Sequence, residues 1–389
     1  MQNEIIDVEV EDITTKKKKL FITNFQAPGD ILMLTSAVRD LYHAHSDRYS
    51  INVNTTAMQI WENNPYLDES VTEENADITI KTDYSLVHKS NQQPWHFIHG
   101  FRQDLERKLG IIIPQGDFKP DIHISDLEKS WIPQVQEVTG KDLKYWIVCA
   151  GTKNDFTAKM WEFKRFQTVI NHFKNKIVFV QIGEVGHGHP ALENVIDLRG
   201  KTDTRELIRL FYHSVGVLCG VSFPMHLSAA IETRGDRCFK TRPAVIIAGG
   251  REPAHWEAYS YHRYLNRCSS LPCCDLGGCW KSRVIPLSDG NEEQNKSLCC
   301  FPVETKSHQV IPKCLDMIST GDVIRAIDTY RIGYKDNDRD FHNEGFILTK
   351  FLKNNPQYNG KQNGNDINNC EWMKEIFPVS VLMESKKKS

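Results

Sequence analysis

What most constrains this chain is an alternation that runs twice along it. Short apolar segments of strand length are each followed by a loop and a segment of helical period. The first run has strand candidates at residues 20–25 (LFITNF), 50–55 (SINVNT) and 76–81 (ADITIK), with helix candidates at 31–45 and 95–109. In the first of these helices Ile31, Leu34, Val38, Leu41 and Tyr42 recur at helical spacing. The second run has strands at 146–150, 176–182, 215–219 and 244–248, and helices at 161–173, 204–213 and 224–232. Alternation of this kind predicts parallel sheets with helices on both faces. The expectation is therefore an α/β protein of two doubly wound units facing a cleft. Ligands of such sheets gather beyond the carboxyl ends of the strands, so the loops that follow the strands carry the argument about function.

The division of the chain follows from the same pattern. Residues 1–17 read as a flexible arm and 18–135 as the first unit, with a lysine run at 16–19 preceding the first strand. Residues 114–131, richer in Pro and Asp and with a possible strand at 121–124, read as the path between units. The second unit takes 136–261, a Cys-rich segment 262–316, a closing helix 317–332 and a polar tail 333–389. A length of 389 residues suits two domains, and 40% hydrophobic with 25% charged residues is a globular composition. Lys and Arg (48) nearly balance Asp and Glu (50), so no basic field points to nucleic acid. No apolar run approaches the ~20 residues of a membrane helix. The first residues lack the basic and apolar regions of a secretory signal, which predicts a cytoplasmic protein.

Three loops offer chemistry. In Ala27-Pro28-Gly29-Asp30, Gly29 allows close approach of a ligand, and Asp30 falls at a helix start. Asp30 is either a helix N-cap or a general base at the cleft floor that deprotonates an acceptor hydroxyl. Residues 151–159 place Thr152, Lys153, Thr157 and Lys159 before a helix, an arrangement that favours a phosphate, although the Walker pattern is missing. Ser222-Phe223-Pro224-Met225-His226 opens another helix, where Ser222 and free amides can hold phosphate oxygens; His226 is either part of that loop or a packed structural residue. Gly183, after a strand, leaves room for a base or ribose, and the GHGHP histidines, His187 and His189, read as a structural loop.

Of eleven cysteines, seven lie between Cys268 and Cys314. Without a secretory signal, such clustering points to metal ligands before disulfides. Four thiolates make a tetrahedral site suited to zinc or iron. The best set is Cys274, Cys279, Cys299 and Cys314, with Cys273 and Cys300 as substitutes. The alternative is a set of buried, reduced thiols acting as small hydrophobes.

The order of these motifs resembles the heptosyltransferase family of GT-B glycosyltransferases (glycosyltransferase family 9). The resemblance is carried by APGDILMLTSAV, KNDFTAKMWEFKRFQTVI, FVQIGE, VIDLRGKTDTRELIRLFYHSVGVLCGVSFPMHLSAAI and REPAHWEAY, in order, over residues 20–330. The segment CCDLGGCWKSR, followed by LCC and PKC, resembles the subgroup with a cysteine-bound iron finger, which includes the autotransporter heptosyltransferases. The resemblance implies transfer of heptose from an ADP-activated donor to a hydroxyl of a bacterial surface protein or glycan. Lipopolysaccharide-core transfer, another nucleotide sugar, and an inactive nucleotide- or carbohydrate-binding relative are the alternatives. By position it implies Asp30 as base, Lys159 as the diphosphate-neutralising cation, and Ser222 and His226 in the phosphate loop. Thr152, Gly183 and Met225 complete the donor side, while Val221 stands where the family has an acidic residue. It further implies a structural iron or zinc, no catalytic divalent metal, and a homo-oligomer as one option. Only 29 residues precede Asp30, so the extra domain of the autotransporter enzymes is expected to be absent or replaced.

Overall fold

The computed structural model describes residues 16–83, 95–235, 242–333 and 344–360. The expected arm at 1–15 and most of the expected tail lie outside the described residues. The first unit is built on β1 (Lys18–Asn24), β2 (Tyr49–Thr55) and β3 (Ile78–Lys81), all parallel in the order β2-β1-β3. Helix α1 (Pro28–His45) packs against α2 (Ile98–Leu109) and is buried continuously from Ile31 to Leu41. Its polar residues meet that burial internally. Thr35 and Ser36 donate to the carbonyls of Leu32 and Met33 at 2.6 and 2.7 Å, and Arg39 pairs with Asp40 at 2.9 Å.

Two short helices, α3 (Asp126–Ser130) and α4 (Gln134–Thr139), lead to the second unit. The strand expected at 121–124 does not form. The Asp121 amide is spent on the Thr35 hydroxyl at 2.8 Å, which pins this stretch to α1 instead of to a neighbouring strand.

The second unit is a parallel sheet of β4 (Tyr145–Cys149), β5 (Val178–Gln181), β6 (Ile196–Asp197), β7 (Gly216–Gly220), β8 (Ala244–Gly249) and β9 (His262–Asn266). The order is β6-β5-β4-β7-β8-β9. Helices α5 (Phe163–Phe173), α6 (Thr204–His213), α7 (Phe223–Ala230) and the short α8 (Ala254–Glu257) alternate with the strands. Asp203 caps α6 and Glu206 returns the bond, a reciprocal capping box with both contacts at 2.8–2.9 Å. The Cys-rich segment that follows contains α9 (Glu292–Lys296), a hairpin of β10 (Pro302–Glu304) and β11 (Val310–Pro312), and α10 (Lys313–Asp316). Helix α11 (Thr320–Gly333) packs on α5, β8 and β9. The segment expected to be a polar tail includes α12 (Glu344–Asn354), which leans on β5, and Asn359 bridges Ile196 of β6.

In this strand order the crossovers reverse direction between β4 and β7, so the loops after those strands flank a crevice. Helix α1, which starts in the loop after β1, packs on α7 across the seam between the units. A buried ion pair joins the units farther out. Arg205 of α6 donates to Glu128 of α3 at 2.8 Å, to the Gln59 carbonyl at 3.2 Å and to the His123 carbonyl at 3.0 Å. Removing one partner of such a pair leaves an uncompensated buried charge. Glu128→Ala is therefore expected to lower the free energy of unfolding by about 3 kcal/mol in chemical denaturation. A loss of less than about 1 kcal/mol, the range of surface pairs, would show that this contact does not join the units.

Candidate functional site

The loops after β1, β4, β7 and β8 meet at the seam. Asp30 stands at the third position of α1, not at its cap, which is Ala27; its Oδ2 accepts from the Ala27 amide at 2.9 Å. The carboxylate therefore answers an orphan amide of the helix start while remaining half-buried. Beside it, Gly29 lies against α7. A Cβ there would sit 3.5 Å from Cδ2 of His226.

His226 is buried and shares a 2.8 Å hydrogen bond between Nδ1 and the Tyr259 hydroxyl, which in turn donates to Sδ of Met33 on α1. Its Nε2 lies 3.6 Å from Glu257. Burial, then the neighbouring His96, Lys159 and His262, hold its pKa well below the usual histidine value. Glu257 is pushed the other way. Burial, the Glu252 charge and a contribution from Asp30 raise it well above the ordinary carboxyl range. Phe97 closes this side, its ring 5.7 Å from both His226 and Trp256 and its amide donating to the Trp256 carbonyl at 2.8 Å.

Lys159 does not open a helix. It ends a 3-10 turn (Asn154–Lys159), and α5 begins only at Phe163, after three residues outside any helix. Its Nζ reaches the Glu252 carboxylate at 2.8 Å and the Val221 carbonyl at 3.3 Å, beside the start of α7. Arg251 contacts the same Glu252 oxygen. Burial alone pushes the Glu252 carboxyl up, but Arg251 and Lys159 outweigh it and hold the group below its ordinary value. Ser222 is the N-cap residue of α7, yet its hydroxyl makes no capping bond and points back to the Gly220 carbonyl at 3.4 Å. The start of α7 is thus without a side-chain cap; Pro224 has no N–H and the Met225 amide is spent on the Ser222 carbonyl, so the Phe223 amide is the first-turn donor suited to an anion.

The remaining expected donor-side residues have internal roles. Thr152 forms a two-way backbone bridge with Gly188 at 3.1 and 3.4 Å, which fixes the GHGHP loop. Gly183 is needed for packing: a Cβ there would fall 2.5 Å from Cγ of His189. Met225 is wholly buried in the core and its amide is spent on the Ser222 carbonyl at 2.9 Å. His189 is half-buried, and desolvation lowers its pKa to about 4, consistent with a structural loop. Sequence reasoning assigned no role to Arg251, Glu257 or Tyr259. Their signal was the density of charged and aromatic residues in REPAHWEAY, which the fold buries almost entirely.

All four expected metal ligands, Cys274, Cys279, Cys299 and Cys314, line one small cavity together with Cys273; Cys300 is exposed and does not line it. Among the described residues, however, no three metal-ligating side chains are drawn close enough to form a ready metal-binding group. Burial, reinforced by the neighbouring thiols, pushes Cys273 up to about 12 and Cys314 to about 11. The cavity backs onto the cations of the seam, since Arg251, Gly250 and Ala158 also line it.

Comparison with known proteins agrees with this architecture. The family model for glycosyltransferase family 9 (heptosyltransferase) matches residues 84–235, less than half of the chain. No curated protein matches the sequence significantly. Among solved structures, a glycosyl transferase family 9 protein of Veillonella parvula is similar over 81% of this chain and 98% of its own, with TM-score 0.54 and 15% identity. The iron-containing dodecameric glycosyltransferase TibC of enterotoxigenic E. coli is similar over 83% of this chain and 80% of its own, with TM-score 0.55 and 16% identity. A second TibC structure, a heptosyltransferase in complex with ADP-D-β-D-heptose, gives TM-score 0.51 and 14% identity over 82% of this chain and 76% of its own. At these identities the likeness is one of fold: two parallel α/β units of the GT-B kind. No helix among the described residues is long and apolar enough to cross a membrane.

The buried histidines of the seam make a prediction about pH. His96 and His262 are lowered to about 3, mainly by burial, and His226 is lowered as well. Between those values and the unfolded value of about 6.5, the unfolded chain binds protons that the folded chain does not. Their contribution to stability is complete above about pH 6.5 and is lost as the pH falls below it. Glu257 acts in the opposite sense, one group against three. The melting temperature should therefore fall between pH 7 and pH 5, and His262→Asn should flatten that slope; equal slopes would remove His262 from the account.

Proposed function

We propose that the protein is a glycosyltransferase that moves a sugar, heptose first among candidates, from an ADP-activated donor to an acceptor hydroxyl of a bacterial surface protein or glycan. The observation that carries this reading is the meeting at one seam of a carboxylate on the first unit with a lysine and an uncapped helix start on the second. The match to the heptosyltransferase model and the fold shared with TibC, which has been solved with ADP-heptose, support the donor class.

In this reading the reaction is direct displacement at the anomeric carbon. Asp30 takes the proton of the acceptor hydroxyl as it attacks. Lys159, Ser222 and the Phe223 amide at the start of α7 stabilise the leaving diphosphate, where negative charge develops. His226 is held neutral and fixed by Tyr259, so it positions the start of α7 against Gly29. No divalent metal is assigned to the transfer.

The cysteine cavity fits a structural ion by the chemistry of its donors: five thiols and no carboxylate or imidazole line it. Iron or zinc bound by Cys274, Cys279, Cys299 and Cys314 would stabilise a stretch with few apolar residues. Free thiols of this kind persist in a reducing compartment, which supports a cytoplasmic enzyme. Self-association belongs to the same proposal and is read from the mass in solution.

The deciding experiment measures nucleotide release from a panel of nucleotide sugars, ADP-heptose included, together with ADP binding. Asp30→Ala is expected to slow transfer by about 10²–10⁴-fold with ADP affinity unchanged. Lost ADP binding in that variant, or unchanged turnover, would refute Asp30 as base. Release from UDP-sugars alone would move the donor class. For the ion, purified protein should carry about one iron or zinc per chain and Cys279→Ser should lose it; full occupancy in the variant would remove Cys279 from the set.

A further inference from the structure

We propose that Arg251 forms with Lys159 a two-cation seat for the donor's diphosphate, and that Glu252 occupies the seat in the donor-free protein as an internal stand-in anion. The inference rests on the donor reading above and adds to it a second cation and a competing carboxylate.

Lys159 comes from the loop after β4 and Arg251 from the loop after β8, yet both converge on one atom, Oε1 of Glu252, with Lys159 Nζ at 2.8 Å. Two like charges held this close need support from the scaffold, and the scaffold supplies it. Both stack on the ring of Phe156, Lys159 at 5.4 Å and Arg251 at 5.2 Å from its centroid. Arg251 lies also over Trp280 at 5.6 Å, and its Nε donates to the Lys281 carbonyl at 2.6 Å. Lys159 is tethered to the Val221 carbonyl at 3.3 Å, next to the uncapped start of α7. The two cations and the helix start therefore remain contiguous whatever anion lies between them.

Glu252 fits the seat incompletely. Its Oε1 serves both cations, whereas its Oε2 is buried without a hydrogen-bond partner among the described residues. A half-satisfied buried carboxylate carries a desolvation penalty that a better-matched anion would relieve. The charge count agrees. One carboxylate faces two cations, while the diphosphate of a nucleotide sugar brings two negative charges and additional oxygens for the Phe223 amide and the Ser222 hydroxyl at the start of α7. The Lys159 side chain is 21% exposed and the Glu252 side chain 4%, so an incoming phosphate meets Lys159 first and then displaces the carboxylate.

The test is calorimetric binding of ADP and of inorganic pyrophosphate to full-length wild type and to Lys159→Ala, Arg251→Gln, Glu252→Gln and Glu252→Asp. Arg251→Gln should weaken ADP binding about tenfold, the scale of one charge-assisted hydrogen bond. Glu252→Gln, which removes the competing charge, should tighten both ligands about tenfold. Should it leave the two cations too poorly compensated to fold, Glu252→Asp withdraws the carboxylate while keeping its charge and should shift affinity in the same direction. Unchanged affinity in Arg251→Gln overturns the seat. Unchanged or weaker affinity in the Glu252 variants overturns the stand-in. ADP binding that needs Lys159 but ignores Arg251 and Glu252 would leave the donor reading intact and end this inference, whereas a wild type that binds neither ligand would end both.

Discussion

Parallel strand pairing is the constraint on which the rest depends. A parallel pair cannot be joined by a tight turn, so each strand must be followed by a crossover, and each crossover begins at the carboxyl edge of the sheet. Every strand of the two main sheets obeys this rule. The loops after β1, β4, β7 and β8 are thereby gathered at edges that face one another. The reversal of strand order between β4 and β7 then opens the crevice into which Lys159 and the start of α7 project.

Packing the two units together has an electrostatic consequence. Asp30, Lys159, Arg251, Glu252 and Glu257 come together where the surroundings are mostly apolar and aromatic, and in such a medium each charge must be matched or neutralised. The structure uses both solutions. Glu252 remains charged between two cations, while burial beside that charge drives Glu257 toward its neutral form. The histidines are likewise held neutral. In the proposed donor site, the incoming diphosphate would act on this balance of charges. Arg251 lines the cysteine cavity, so the Cys-rich segment lies against one member of the cation pair.

Much of this was legible in the sequence. Strands β1, β4, β5, β7 and β8 follow from apolar runs of the right length, because parallel strands buried on both faces lack polar alternation, whereas β2 and β3 alternate between buried and more exposed positions. β6 has two residues, and β9 is a partly exposed edge strand reading HRYLN, so neither produces such a run. Asp30, Lys159 and His226 were visible as candidates because strand–loop–helix junctions are few. Thr152, Gly183 and Met225 stand at the same kind of junction, and the contacts they make are a loop bridge, ring packing and the core. Position at a junction says that a residue is near the crevice, not which way its side chain is turned.

The sequence by itself determined the class of fold, the two-unit division and the gathering of chemistry into the loops after the strands. Those properties are local, set by periodicity and by the few residue types that can turn a strand into a helix. Only the tertiary structure decided that Glu252 lies between Lys159 and Arg251, that Tyr259 ties His226 to α1, and that five cysteines line one cavity. Glu252 and Lys159 are 93 residues apart, and Tyr259 and Met33 are separated by 226. No period or spacing links such positions; they meet because closing the seam removes apolar surface from water and forces each charge brought with it to find a partner.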